Sequence, residues 1–377
     1  MRSSLIPLTK ILFIEGAIDF GGSVKSLLML LKHLDKSKYL PIVVCLYDVP
    51  YLNKLKDTGV EVRVLKGAGT LLFTRLSHIL QLMRLIKKLD ISLLHLNNGI
   101  YYPAVIAACL CRVPCVSHFR SLPYNIFTEK PTIPFLTLLF GKFSSHNIAI
   151  SEAVKNRYVE LGFKKEKISV IPDGIEIDAI RKNASIPRPA MYKTNGAFII
   201  GSVCRLSEEK GLNYLIDAIP IILKEIKNIK CVLVGDGPLM KQLKTQVNNL
   251  GLSETVIFAG HQDNPYPILS EFDIFVLPSL REGLPISIME AMALGMPVVA
   301  SKVGGVSELV SNMINGILVS SGDIEQIANS VISLYKDSNL RRQLAHSAYI
   351  KAKESFAFQK TIQHVELKYA ELIKGNG

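Results

Sequence analysis

Long apolar runs are missing from this 377-residue chain. The run from Gly99 to Cys111 stops at Arg112, short of the ~18 residues a membrane-spanning helix needs. Metal-type cysteine spacing is missing too. None of the six cysteines (Cys45, Cys109, Cys111, Cys115, Cys204, Cys231) forms a CxxC pair, so reduced thiols in the core of a cytosolic protein are expected rather than zinc or disulfides. No Asp-x-Asp pair offers a divalent cation two carboxylates. The first residues, Met1 to Thr9, do not read as a signal peptide. Few aromatic residues interleave the basic ones and no nucleic-acid motif appears, which argues against a nucleic-acid partner.

Acidic residues are scarce in one half only. Residues 1–190 carry 26 Lys+Arg against 14 Asp+Glu, and residues 191–377 carry 18 of each. The whole formal charge of +12 therefore lies in the first half. A half-chain of this charge fits an anionic partner: a phosphorylated substrate, nucleic acid or anionic lipid headgroups. The segment Leu71–Leu89 adds an apolar face flanked by Arg75, Arg84, Lys87 and Lys88, and Pro131–Phe143 is a second apolar element ending near Lys142. Such a helix packs on a sheet or lies in a membrane interface. Peripheral contact with an anionic membrane surface is one expectation; a solvated surface is the other.

At about 150 residues per domain the length implies two domains, and an apolar content of 49% against 20% charged makes them globular. Strands alternate with helices throughout, the rhythm of a parallel α/β sheet. The alternation stops in a Pro- and Asn-containing stretch, 175–196, and restarts at Ala197. The expected domains are 1–185 and 196–355, followed by a terminal segment 356–377.

Ligands of open α/β sheets bind beyond the carboxyl ends of the strands, and the chemistry-bearing residues fall there. In the first half Gly21-Gly22 leads from a strand into a helix and lets backbone approach a ligand. Asn97 follows another strand, and His118 and Arg120 a third. In the second half a strand ends at Cys204 and delivers Arg205 and Lys210, two cations able to meet one diphosphate. Ser279–Ser301 places Glu282 on a loop, the Gly283 and Leu284 amides after it, and Glu290 about a turn and a half into a helix. Carboxylates accept hydrogen bonds from vicinal hydroxyls, as on a ribose. Taken singly, each feature has a plain structural reading: a solvated glutamate, a turn glycine, a packed histidine.

Together the motifs resemble those of glycosyltransferases of family four. The segments that carry the resemblance are RLSEEKG from Arg205, VLVGDGPL from Val232, EGLPISIMEAMALGMPVVAS from Glu282, Gly304-Gly305, ISEAVKN from Ile150, PDGIE from Pro172 and Gly21-Gly22. They span nearly the whole chain. The resemblance implies a GT-B fold, two Rossmann-like domains facing across a cleft, and metal-independent, retaining hexosyl transfer from a nucleotide-sugar donor to a glycan or lipid-linked acceptor. It further implies that Arg205 and Lys210 hold the diphosphate, Glu290 the ribose, and Glu282 with Gly283 and Leu284 the donor sugar and phosphate. His118 is the first-domain catalytic residue, Gly21 and Gly22 close on the diphosphate, and the last helix crosses back to the first domain. Asn97 and Arg120 are assigned to the acceptor side. The expected location is cytoplasmic, peripheral on the membrane face, with no cofactor. A nucleotide-sugar epimerase of the same fold and a lipid-binding module are the alternatives.

Overall fold

The computed structural model describes residues 8–65, 67, 72–123, 138–186, 191–193 and 195–375. Their strands gather into two parallel sheets. The first contains β1 (Thr9–Glu15), β2 (Tyr39–Cys45), β3 (Glu61–Val64), β4 (Leu93–Leu96), β5 (Cys115–Phe119), β6 (His146–Ala149) and β7 (Ile168–Val170), in the spatial order β3-β2-β1-β4-β5-β6-β7. The second contains β8 (Phe198–Val203), β9 (Ile229–Val234), β10 (Val256–Gly260), β11 (Ile274–Leu277), β12 (Val298–Ser301) and β13 (Ile317–Val319), ordered β10-β9-β8-β11-β12-β13. Each order reverses direction beside its first strand, as in doubly wound sheets, so each sheet has a switch point at which a ligand can bind.

The near-continuous apolar strands are the reason for this layering. Ile11, Leu12 and Phe13 of β1, and Cys231, Val232 and Leu233 of β9, are inaccessible to solvent, as expected of strands covered on both faces. The helices Leu212–Glu225 and Ile324–Lys336 turn Leu215, Ile216, Ile219, Ile327 and Val331 into the second core. Each such side chain contributes ~1.5–3 kcal/mol by leaving water. In the first core Leu82 and Ile86 of the helix Leu72–Leu89 are buried, while Leu76 and Leu80 remain exposed. The basic amphipathic segment is thus a packing helix with a second, uncovered apolar side. Residues 131–137 of the other apolar element lie outside the described residues. Among the described residues, no helix is long and apolar enough to cross a membrane.

The chain divides into Met1–Asp173 with Gln359–Gly377, and Gly174–Phe358. The division therefore falls at the very start of the stretch 175–196 expected to be a linker, not within it. Within that stretch Ile177–Ala184 is a helix, which belongs to the second unit and packs on the helices Tyr266–Leu269 and Ile286–Ala293. Asp178 in its first turn and Arg181 and Lys182 in its last complement the helix dipole, a local signal that the nearby prolines masked. The terminal residues join the first unit through Tyr369, whose hydroxyl meets His95 Nδ1 at 2.6 Å, and through Thr361, which donates to Pro172 O at 2.9 Å. All six cysteines are free; Cys109, expected in the core, is exposed.

Candidate active site

Three loops at the carboxyl edge of the second sheet are locked to one another by backbone contacts. Leu280 N donates to Glu209 O at 2.8 Å, and Leu206 N to Asp236 O at 2.9 Å. Gly211 is left-handed at φ +61°, and a Cβ there would stand 2.3 Å from Pro278 O. At Gly235, φ +135°, a Cβ would stand 1.9 Å from Cys204 O. Only glycine permits these approaches, which is why RLSEEKG, GDGP and the loop after β11 interlock. Asp236 does not cap the following helix: its Oδ1 accepts from Gly237 N at 2.7 Å, and the helix begins at Met240.

This clamp brings Lys210 and Glu282 together. Lys210 Nζ lies 2.7 Å from Glu282 Oε1, and the same oxygen accepts from Ser279 Oγ at 2.7 Å. The Glu282 side chain is 7% exposed and that of Lys210 20%. Burial works against the ammonium, yet the Glu282 carboxylate, Cys204 and Glu209 together hold the Lys210 pKa above its ordinary value. Lys210 is therefore charged throughout the neutral range. Arg205 stands exposed just past β8.

Glu290 occupies the helix Ile286–Ala293, with Pro285 as its N-cap. Gly295, at φ +68°, follows the end of this helix. Glu290 is 2% exposed, and Tyr266 donates its hydroxyl to Glu290 Oε1 at 2.9 Å. Tyr266 and Ser279 are site residues that sequence reasoning missed. Tyr266 belongs to a four-residue helix, too short to show a period, and its link to Glu290 is purely tertiary.

In the first unit, Gly21 caps the helix Gly22–His33 in an extended conformation, φ −138°, and a Cβ on it would meet nothing within 4 Å. Neither the fold of this unit nor local strain demands glycine there. Asn97 and Arg120 are engaged internally instead of facing outward. Asn97 Nδ2 donates to Glu15 Oε2 at 2.5 Å, Arg120 Nε donates to Asn97 Oδ1 at 2.9 Å, and Arg120 Nη1 pairs with Asp173. This buried chain ties the ends of β1, β4, β5 and β7 together. Glu15 and Asp173 are its two anions.

His118 lies beside this chain, 1% exposed, its ring centroid 5.3 Å from that of His95. Among the described residues neither of its ring nitrogens has a hydrogen-bond partner. Burial, then the Arg120 charge and His95, push its pKa well below the ordinary imidazole value. At neutral pH it is an uncharged ring with one donor and one acceptor to offer. His95 is depressed by burial and Arg120, and His146 to about 4 by burial and Lys368.

Below the unfolded value of about 6.5, the unfolded chain takes up protons that these folded histidines refuse. Their stabilising contribution is full above that pH and is lost as pH falls toward the depressed folded values. Glu15, raised by burial, titrates in the opposite sense and offsets part of the loss. Thermal melts should therefore show Tm falling between about pH 7 and about pH 5, at up to ~1.4 kcal/mol per pH unit for each uncompensated histidine. A Tm flat across that window would mean that the histidines titrate normally in the fold.

Comparison with known proteins places this geometry. The family profile described as glycosyltransferase family 4 matches residues 20–179, and that described as glycosyl transferases group 1 matches residues 188–351. The UDP-Gal:α-D-GlcNAc-diphosphoundecaprenol α-1,3-galactosyltransferase of Escherichia coli is 29% identical over 78% of this chain and 79% of its own length. The N-acetyl-α-D-glucosaminyl L-malate synthase of Bacillus anthracis is 26% identical over 76% of each chain. The solved structure of Anabaena HepE in complex with UDP superposes with a TM-score of 0.82 at 25% identity, covering 96% of this chain and all of that one. Two Rossmann-like sheets with these neighbours define a glycosyltransferase of the GT-B fold. Within that class the chain belongs to glycosyltransferase family four.

Proposed function

We propose that this enzyme moves a hexosyl group from a nucleoside-diphosphate sugar, best a UDP-sugar, to a glycan or lipid-linked acceptor in surface polysaccharide or glycolipid synthesis. We further propose that it retains the anomeric configuration and uses no metal. One observation carries the reading: a charged Lys210, oriented by Glu282 at 2.7 Å, stands in the same loop as Arg205 at the carboxyl edge of the second sheet. Departure of a nucleoside diphosphate develops negative charge on its phosphates, which fixed cations stabilise as a bound metal otherwise would. Lys210 has three N–H donors and spends one on Glu282, leaving two for phosphate oxygens. Among the described residues no three His, Cys, Asp or Glu side chains gather as a metal group.

Glu290, oriented by Tyr266, suits the two ribose hydroxyls. Glu282 with the Gly283 and Leu284 amides suits the donor sugar and phosphate, and Gly21-Gly22 the diphosphate. His118 supplies the transferred sugar with a neutral hydrogen-bonding partner. Asn97 and Arg120 act by positioning the first-unit edge, not by touching acceptor. The names of the relatives support the donor and acceptor classes: the Escherichia coli enzyme takes UDP-Gal and a diphospholipid, and HepE holds UDP.

A thermal-shift screen of UDP-, GDP- and ADP-sugars tests the donor, since a ligand bound only by the folded state raises Tm. Rates measured with the donor so found should be unchanged by EDTA, and proton NMR of the product reads the anomeric configuration. No shift with any of the three donor classes would defeat the reading; activity abolished by EDTA and restored by Mg²⁺ would defeat metal independence.

A further inference from the structure

A cavity of about 240 Å³ opens within the first unit, lined by Ile14 and Leu96 at the carboxyl ends of β1 and β4 and by the loop residues that follow them. These two strands flank the switch point of that sheet, where doubly wound folds bind ligands. Among the described residues, Arg75 is the one charged residue lining the cavity. Its guanidinium lies over the rings of Tyr101, at 5.3 Å, and Tyr102, at 5.9 Å, and the Tyr101 hydroxyl is held by His78 Nδ1. Stacking on two rings holds a planar cation in place. Glu15, although between two lining residues, is turned away to Asn97 Nδ2 and to Ala17 N at 2.6 Å.

Among the described residues no carboxylate pairs with Arg75, and its Nε is buried without a hydrogen-bond partner. Leaving such a donor unmet costs on the order of 1–3 kcal/mol, more for a charged group. A positioned cation with an unmet donor, beside apolar Ile14 and Leu96, is a receptor for a small group with a charged oxygen end and a neutral body. Guanidinium matches the paired oxygens of phosphate or carboxylate. The volume lies under the ~300–1,000 Å³ typical of pockets for drug-sized ligands, so the cavity accommodates the end of an acceptor and not an extended glycan.

We infer that this pocket seats the acceptor by an oxyanion, phosphate or carboxylate, received by Arg75 and flanked by Tyr101. The inference rests on the reading of the first unit as the acceptor side of a glycosyltransferase. It assigns to that unit an anionic acceptor and, in Arg75, the residue that selects it.

The test is binding to the full chain, by thermal shift and calorimetry at matched ionic strength. The probes are glycerol 1-phosphate, succinate and uncharged glycerol, with UDP measured separately. Glycerol 1-phosphate, succinate or both should raise Tm where glycerol does not, the responding probe telling a phosphorylated from a carboxylated acceptor. Arg75→Gln should weaken that probe at least tenfold, and Arg75→Lys should recover part of the loss. Arg75→Gln should keep the full UDP shift, which shows that it is folded and that the donor side is intact. The inference is overturned if neither anion shifts the wild type, if glycerol does as well, or if Arg75→Gln binds the anion as tightly as the wild type. An Arg75-dependent anion shift with no UDP shift in either protein would instead overturn the donor assignment and leave the Arg75 site standing.

Discussion

Lys210→Ala is expected to lower kcat for sugar transfer by about 10²–10³-fold, with a smaller effect on donor KM, because the developing diphosphate charge would lose a preorganised cation. The size follows from how Lys210 is held. Its side chain is mostly covered, its charge is kept by Glu282 at 2.7 Å, and Glu282 is itself fixed by Ser279 at 2.7 Å. Such a cation needs no reorganisation when the leaving group departs. Glu282→Gln removes the anion that orients it and should also lower kcat. The double variant should lose less than the product of the two single losses, since both changes break one unit. Truncating Lys210 also strands a buried carboxylate, so stability must be measured beside activity. Stopped assays over a range of donor concentrations give both constants; a Lys210→Ala enzyme with wild-type kcat would remove Lys210 from the chemistry.

Glu290→Gln is expected to raise the donor KM by about 10–100-fold and to leave kcat within a few-fold. The change is isosteric, but it exchanges a carboxylate oxygen for an amide donor at a buried position, 2% exposed. Ribose hydroxyls that donated to the carboxylate would then face an N–H, and a hydrogen bond to a charged group is worth ~1.5–3 kcal/mol. Binding lost equally from ground and transition state appears in KM. A donor lacking the ribose 2′-hydroxyl separates this from a packing effect. It should be much poorer than the parent donor for the wild type and nearly equal to it for Glu290→Gln. Equal discrimination by both proteins would mean that Glu290 does not meet the ribose. Tyr266→Phe, which frees Glu290 Oε1 from its 2.9 Å hydrogen bond, should show a weaker version of the same pattern.

The strand-helix alternation, the restart at Ala197 and the residues at each strand end were all legible, because period and turn chemistry are local properties of a chain. The glycines of RLSEEKG and GDGP could be seen but not explained. Their necessity lies in Pro278 O and Cys204 O, atoms from segments distant in the sequence. The helix Ile177–Ala184 was hidden by prolines just beyond it, and its stabilising contacts come from helices about 80–110 residues away.

Sequence by itself determined which chemistry was available: cations and carboxylates at the ends of parallel strands, within motifs that together point to one family. Tertiary structure decided how each group is used. It paired Lys210 with Glu282, gave Glu290 to Tyr266, and joined Arg120 to Asp173 and Asn97 inside the first unit. It also left His118 and the Nε of Arg75 without partners among the described residues. The physical reason is that hydrogen-bond supply and demand is settled in three dimensions. A sequence shows which donors and acceptors exist, and only packing shows which of them the fold has already consumed and which remain for a ligand.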